Sequence, residues 1–204
     1  MPKSQVPRSR KARAAKPKRK LHKFEELASK ANKLSLEDLQ DIFKDYLPPP
    51  KTAEGIENEA KRQASRTRYI TANDPDITWN PVQKMKELQH TKTRFVLVQN
   101  ETALEAFCSF RFEAEEDWNG EMQFLVYIYE IQIAQGYRGT GLCRRVFTAL
   151  EGMCAELDVQ VVMLTCFKCN TQALPVYAHL GFQEVEGDSK TSQEFWKPIG
   201  NRPA

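Results

Sequence analysis

No uncharged apolar run in this 204-residue chain approaches the roughly 18 residues that a membrane-crossing helix needs. Its first residues, Met1-Pro2-Lys3, lead straight into basic sequence with no apolar stretch, so no secretory signal is expected. Cysteine is scarce and odd in number: five residues fit reduced thiols in the cytosol or nucleus, not a disulfide framework. The length is too short for two full domains and suits one domain with a tail. Acid is missing altogether from residues 1–23, which hold ten Lys or Arg. The remainder carries 20 basic against 27 acidic residues, a net of −7, so the overall +3 hides a basic tail on an acidic body.

That body is most acidic between Phe95 and Tyr137, where Glu101, Glu105, Glu113, Glu115, Glu116, Asp117, Glu121 and Glu130 meet a single base, Arg111. Such a surface attracts cationic partners and repels nucleic acid, which leaves the tail as the one part suited to bind nucleic acid directly. The plainer alternative is that the acids keep the domain soluble. Residues 1–23 have no apolar periodicity and should be disordered. Their cluster Lys16-Pro17-Lys18-Arg19-Lys20 suits nuclear import, and the expected location is nucleus and cytoplasm.

Residues 24–204 should form the folded domain, opening on a helical segment over 24–50. Phe24, Leu27, Ala28, Ala31 and Leu34 keep helical spacing. Ser35 then caps a second run, with Leu36, Leu39, Ile42, Phe43 and Tyr46 on one face, which Pro48-Pro49-Pro50 ends. Residues 51–68 are charged and weakly patterned. A helix starting at Asn80-Pro81 should turn Val82, Met85 and Leu88 inward. Three strands follow, at 95–99, 104–112 and 122–133, with spacing that suits an antiparallel meander. A glycine-containing loop then opens a helix bearing Leu142, Val146, Phe147, Leu150 and Met153, followed by an apolar strand at 159–165. A helix over 170–180 and a final strand pair complete the chain. The strand–helix–strand crossover requires a parallel pairing, so the expected fold is α/β with a mixed sheet flanked by helices.

The loop Gln135-Gly136-Tyr137-Arg138-Gly139-Thr140-Gly141-Leu142-Cys143-Arg144-Arg145 joins a buried strand to a helix, a geometry whose free amides bind phosphate. Three arginines add positive charge there. The dinucleotide fingerprint lacks its third glycine, and the triphosphate-loop Gly-Lys-Ser/Thr is absent. Arg138-Gly139-Thr140-Gly141-Leu142-Cys143 resembles the pyrophosphate loop of the GNAT acetyltransferases, Arg/Gln-x-x-Gly-x-Gly/Ala, with Cys143 at the small-residue position. Asn170, Ala173, Tyr177 and Gly181-Phe182 resemble a second segment of that superfamily. Within it, Phe110-Arg111-Phe112-Glu113, Tyr127-Ile128-Tyr129-Glu130-Ile131-Gln132 and Val162-Met163-Leu164-Thr165-Cys166-Phe167-Lys168-Cys169-Asn170 are similar to the histone-specific NatD N-terminal acetyltransferases. The similarity runs from about Leu104 to Phe182.

The resemblance implies a GNAT fold and transfer of acetyl from acetyl-CoA, with no metal, to the α-amino group of histones two-A and four, whose tails begin Ser-Gly-Arg-Gly. The attack would be direct, by a monomer reading basic histone tails. It places the cosubstrate against Ile131, Gln132, Ile133, Arg138, Gly139, Thr140, Gly141, Leu142, Cys143, Arg144, Asn170 and Tyr177. Glu130 is the lone carboxylate of an apolar strand, and burial would raise its pKa as a base requires; strand parity equally allows a solvent-facing acid. On a regular strand Tyr127 and Tyr129 share one face and Glu130 the other, whereas a bulge would bring Tyr129 and Glu130 to one cleft. A freed amide near Ile131 could then stabilise the oxyanion. Catalysis is thus assigned to Glu130 and Tyr129, and substrate binding to Tyr69, Trp79, Glu113, Tyr127 and Thr165. Glutamate stands at 113 where that family has aspartate, and for Trp79 taken alone a core anchor is the better reading. The Cys166/Cys169 pair lacks convergent ligands for zinc and the context of a redox pair. Rival readings are acetylation of lysine or of other protein amino termini, and a non-catalytic chromatin- or RNA-binding module on the same scaffold.

Overall fold

The computed structural model describes residues 22–43, 80–99, 104–117, 119–187 and 189–200. The tail before His22, Tyr46, the triproline, residues 51–68, Tyr69 and Trp79 lie outside the described residues.

Local chemistry starts each of the first helices. For α1 (Lys23–Ala31), the Glu25 carboxylate accepts from the His22 amide at 2.6 Å, and His22 Nδ1 accepts from Phe24 N at 3.3 Å. For α2 (Leu36–Phe43), Ser35 and Asp38 exchange side-chain-to-backbone bonds of 3.1 and 2.9 Å, a reciprocal capping box. For α3 (Pro81–Leu88), Asn80 Oδ1 accepts from Gln83 N at 3.0 Å, and Pro81 fills the first position, where no amide is needed.

The sheet comprises β1 (Arg94–Gln99), β2 (Leu104–Glu116), β3 (Met122–Ile133), β4 (Val161–Phe167), β5 (Gln183–Glu184) and β6 (Ser192–Pro198), in the order β1-β2-β3-β4-β6-β5. Pairing is antiparallel except between β3 and β4, which the crossover helix α4 (Leu142–Glu156) makes parallel. A short α5 (Leu174–His179) follows β4. This is the mixed α/β sheet of a GNAT fold.

One face of the sheet holds the core. Helices α1 and α4 pack on β2 and β3, and α2 packs on α4. Phe110, Phe112, Phe124, Phe147 and Phe195 are fully buried there, each stabilising the fold by up to about 3 kcal/mol. Phe110 and Phe112 meet edge to face at 5.6 Å. By register, the opposite face carries Arg111, Glu113 and Glu115 of β2, Tyr127 of β3, Thr165 of β4 and Glu194 of β6.

Several expected bounds move. Strand β2 runs on to Glu116, because Glu113–Glu116 find ladder partners in Leu125–Met122 despite their charge. Strand β4 begins two residues late, since Val159 and Gln160 bond to the Cys154 and Phe124 carbonyls, and it extends to Phe167 along β6. Residues 170–173 form turns before α5 and not its first turn. Val82 is 64% exposed instead of inward. Helix α3 presents Gln83, Lys84 and Glu87 to the cleft, while Leu88 is buried and Met85 half-buried as their spacing implies.

Candidate active site

The parallel ladder between β3 and β4 is short, linking Leu125–Ile128 with Val161–Leu164. Beyond it the two strands part, and residues Tyr129 to Ile133 have no partner on β4. The parting opens a cleft of about 1500 Å³, which runs from α3 across β3 to the loop before α4 and on to α5.

At the mouth of the split, β3 carries a bulge. Ser109 pairs with Glu130 while Phe110 pairs with Ile128, so Tyr129 is an extra residue with no partner in β2. The insertion reverses parity, and Glu130 emerges on the same face as Tyr127 and Arg111. Without it, the carboxylate would point into the core beside Ile128.

Around this bulge the side chains are tightly tied. Glu130 is largely buried, with its side chain 11% exposed. Its Oε2 lies 2.6 Å from Lys84 Nζ, and its Oε1 accepts from Gln132 Nε2 at 2.5 Å. Lys84 also bridges to Glu87 at 2.5 Å. Burial alone would push the Lys84 ammonium down, but the charges and hydrogen bonds of Glu130 and Glu87 outweigh it and leave the pKa raised. Glu130 is therefore not the uncompensated buried acid that its apolar strand suggested.

Tyr129 lies under Arg111, whose guanidinium carbon is 4.2 Å from the ring centroid and whose Nη1 donates to the phenol oxygen at 3.3 Å. Burial raises the Tyr129 pKa, and the Arg111 charge opposes that rise. The Tyr127 and Tyr129 rings are 5.0 Å apart, and the Tyr127 hydroxyl is 2.6 Å from Thr165 Oγ1. Burial also raises the Tyr127 pKa, with the Thr165 bond working against it.

The far end of the cleft has a different character. Gly139 and Gly141 adopt φ of +76° and +82°, open positions where a Cβ would meet nothing within 4 Å. Gly141 is the N-cap of α4, and no side chain caps that helix. The first-turn amides of Leu142, Cys143 and Arg144 thus face the cleft with the positive end of the helix dipole behind them. Arg138 Nε donates to the Ile133 carbonyl at 3.2 Å, joining this loop to the end of β3. Thr140 does not line the cleft; its hydroxyl donates to the Tyr137 carbonyl at 2.7 Å.

Tyr177 is packed among Phe147, Phe182 and Phe195, with ring centroids 5.4 to 6.3 Å away, yet it reaches the cleft wall. Burial drives its pKa far up, so the phenol holds its proton. Asn170 and Cys143 line the same end, and burial likewise raises the Cys143 pKa. Among the described residues no group of three or more His, Cys, Asp or Glu is placed to hold a metal ion, and all five cysteines are free. Cys166 is pushed up to about 11 by burial, the opposite of activation.

Of the sequence-derived residues, Tyr127, Tyr129, Glu130, Ile131, Gln132, Ile133, Arg138, Gly139, Gly141, Leu142, Cys143, Arg144, Thr165, Asn170 and Tyr177 share the cleft. Glu113 stands outside it on the same sheet face, near Glu115. Burial and then the Glu113 and Glu194 charges raise the Glu115 pKa. Lys84, Glu87, Arg111 and Glu194 are contributors that the sequence reading did not place. Arg111 alone had a signal, as the single base in an acidic stretch.

Known proteins share this architecture. The smu.2055 protein of Streptococcus mutans is 14% identical, with a TM-score of 0.54 over 74% of this chain and 98% of its own. A variant of the BH1408 protein of Bacillus halodurans is 17% identical, with a TM-score of 0.53 over 68% and 91%. NAA60 of Arabidopsis thaliana, solved in complex with acetyl-CoA, is 15% identical, with a TM-score of 0.48 over 67% and 93%. For the first two, at these identities, the likeness is one of fold. In sequence, the profile described as the acetyltransferase (GNAT) family matches residues 36–182. With that match spanning well over half of its length, this chain belongs to the GNAT acetyltransferase family, whose acyl donor is acetyl-CoA.

Proposed function

We propose that this acetyltransferase acts on the α-amino group of basic protein amino termini, with Ser-Gly-Arg-Gly tails of histones two-A and four as the preferred class. The observation that carries the reading is the bulge at Tyr129, which turns a buried carboxylate, Glu130, into the cleft beside two tyrosines. Resemblance to the NatD enzymes over Phe110–Glu113, Tyr127–Gln132 and Val162–Asn170 narrows the acceptor.

The residues at the loop end fit acetyl-CoA. An uncapped helix start, two open glycines with positive φ and adjacent arginines suit a pyrophosphate. Bound there, acetyl-CoA supplies a thioester carbonyl for direct attack by the amine. The backbone edge of Tyr129–Ile133 that lacks a β4 partner offers amides to the developing oxyanion.

Glu130 accepts the proton that the α-ammonium must lose before its nitrogen can attack. Tyr129, held by Arg111, orients the amine, while Tyr127 and Thr165 form a hydrogen-bonded floor for the first residues of the acceptor. Tyr177 keeps a proton at its phenol oxygen on the cleft wall. Outside the cleft, Glu113, Glu115 and Glu194 pair with basic side chains further along the tail. The nuclear and cytoplasmic location, and action as a monomer, are parts of the same proposal.

Two matched peptides test it with labelled acetyl-CoA. One begins with free Ser-Gly-Arg-Gly; the other has a blocked amino terminus and keeps its lysines. Product is expected on the free amine only, and Glu130→Gln should lower kcat by about 10²- to 10⁴-fold. Product on the blocked peptide would reassign the acceptor to lysine, and none on either would favour a binding module.

A further inference from the structure

The Lys84–Glu130 contact has no part in the reaction described above, yet it lies at the proton-accepting atom. Helix α3 is fixed where Lys84 can reach. Arg111 Nη2 and Thr93 Oγ1 both donate to the Glu87 carbonyl, at 2.8 and 2.9 Å, and pin the end of α3 to the sheet. From that anchored turn Lys84 extends into the cleft, its side chain 12% exposed, and places Nζ 2.6 Å from Glu130 Oε2 and 2.5 Å from Glu87 Oε1. Two carboxylates sharing one ammonium leave a net charge of −1, which an arriving ammonium would cancel.

We infer that Lys84 is a positioning residue that keeps Glu130 ionised and aimed into the cleft before the amine arrives. This rests on Glu130 as the proton acceptor only for its catalytic consequence; the electrostatic device itself is independent of it. Burial of a carboxylate favours its neutral form, which cannot take a proton, and an ammonium in contact reverses that preference. The protonated Lys84 is likewise no competitor for the acetyl group, since its nitrogen has no free lone pair.

Other groups face Glu130 as well. Gln132 donates to it from the same strand. Across the ladder is Ser109, fully buried, with its hydroxyl unpartnered among the described residues. Cys108 of β2 and Tyr177 of α5 lie within range of its charge, Cys143 of α4 lies within range of both, and burial keeps all three neutral near pH 7. Among these named groups Lys84 is the cation in contact with Glu130.

The test is a pH titration of the full chain carrying carbon-13 at glutamate Cδ, with the Glu130 signal assigned by its loss in Glu130→Gln. In Lys84→Met the Glu130 titration should move up by about one to three pH units, and Lys84→Arg should restore it. Thermal melts check that each variant is folded; if Lys84→Met is not, Lys84→Gln, which removes the charge and keeps a polar side chain, is compared with Lys84→Arg. An unmoved Glu130 titration in folded Lys84→Met or Lys84→Gln would overturn the inference. The pH profile of kcat separates the two proposals. If Glu130 is the acceptor, the acid limb moves up with its titration, and Lys84→Met falls to about half of its alkaline kcat at the midpoint of its own Glu130 titration while recovering at alkaline pH. If the titration moves and the limb does not, Lys84 keeps its place and Glu130 loses its catalytic role.

Discussion

Arg111 shows how one side chain can hold several parts of a site together. Its Nε donates to Thr93 Oγ1 at 3.0 Å, Nη2 reaches the Glu87 carbonyl, Nη1 reaches the Tyr129 hydroxyl, and the guanidinium plane covers the Tyr129 ring. Charge-assisted hydrogen bonds of this kind contribute about 1.5 to 3 kcal/mol, and the planar fork is what permits three directions at once. Replacing it by methionine should therefore destabilise the protein by about 2 kcal/mol in a denaturant titration and lower kcat by about tenfold. Arg111→Lys should rescue the charge but only part of either loss, because an ammonium neither forks nor stacks in this way. Equal stability of Arg111→Met and the parent chain would remove Arg111 from this role. The sequence marked Arg111 as an exception among acids without saying what it held. Lys84 carried no mark at all, since its partner Glu130 lies in an element far along the chain, and only the packing of α3 on the sheet brings them together.

At the scale of elements, the loop before α4 was readable because glycine spacing is local chemistry. Gly141 takes φ of +82° at the helix start, where only the backbone conformation and no neighbouring atom resists a side chain. Gly141→Ala should thus cost about 1 to 2 kcal/mol of left-handed strain, relieved by swinging the first-turn amides away from the cleft. The expected result by calorimetry is an acetyl-CoA Kd raised about tenfold, the equivalent of about 1.4 kcal/mol. Gly136→Ala, with ordinary φ and open space around it, should leave the Kd unchanged. Matching Kd values for the two variants would show that the loop amides do not hold the cosubstrate. The bulge in β3 was less legible. Composition allowed Glu130 on either face, and the resemblance alone pointed to a bulge; its place at Tyr129 is set by the ladder with β2. Helix α3 was legible in its start and in the burial of Leu88, but not in the exposure of Val82 or in its cleft-facing side. Periodicity locates an apolar face, whereas the side of α3 toward the cleft is held by an ion pair and a pinned carbonyl.

Across the whole molecule, the acidic excess seen in the sequence resolves into a surface with direction. Glu113 and Glu115 from β2 and Glu194 from β6 lie on the face that also carries Tyr127 and Thr165. Their mutual repulsion is visible at Glu115, whose pKa is raised by burial first and then by the other two charges. Like charges held near one another lower the stability of the free protein and favour a cation that neutralises them. The KM of a basic peptide should therefore rise about tenfold as ionic strength goes from about 0.01 M to about 0.15 M, while the Debye length shrinks from about 30 Å to about 8 Å. A peptide with its basic residues replaced by glutamine should show a high KM that salt barely moves. In the Glu113→Gln/Glu194→Gln double variant the salt dependence for the basic peptide should flatten with kcat unchanged, because these carboxylates meet the tail and not the reacting amine. The same flattening should come from lowering the pH through the titration of Glu115, whose raised pKa makes it lose its charge at a higher pH than an ordinary glutamate. A salt slope that survives the double variant would place recognition of the basic tail on another surface, while leaving the chemistry at Glu130 untouched.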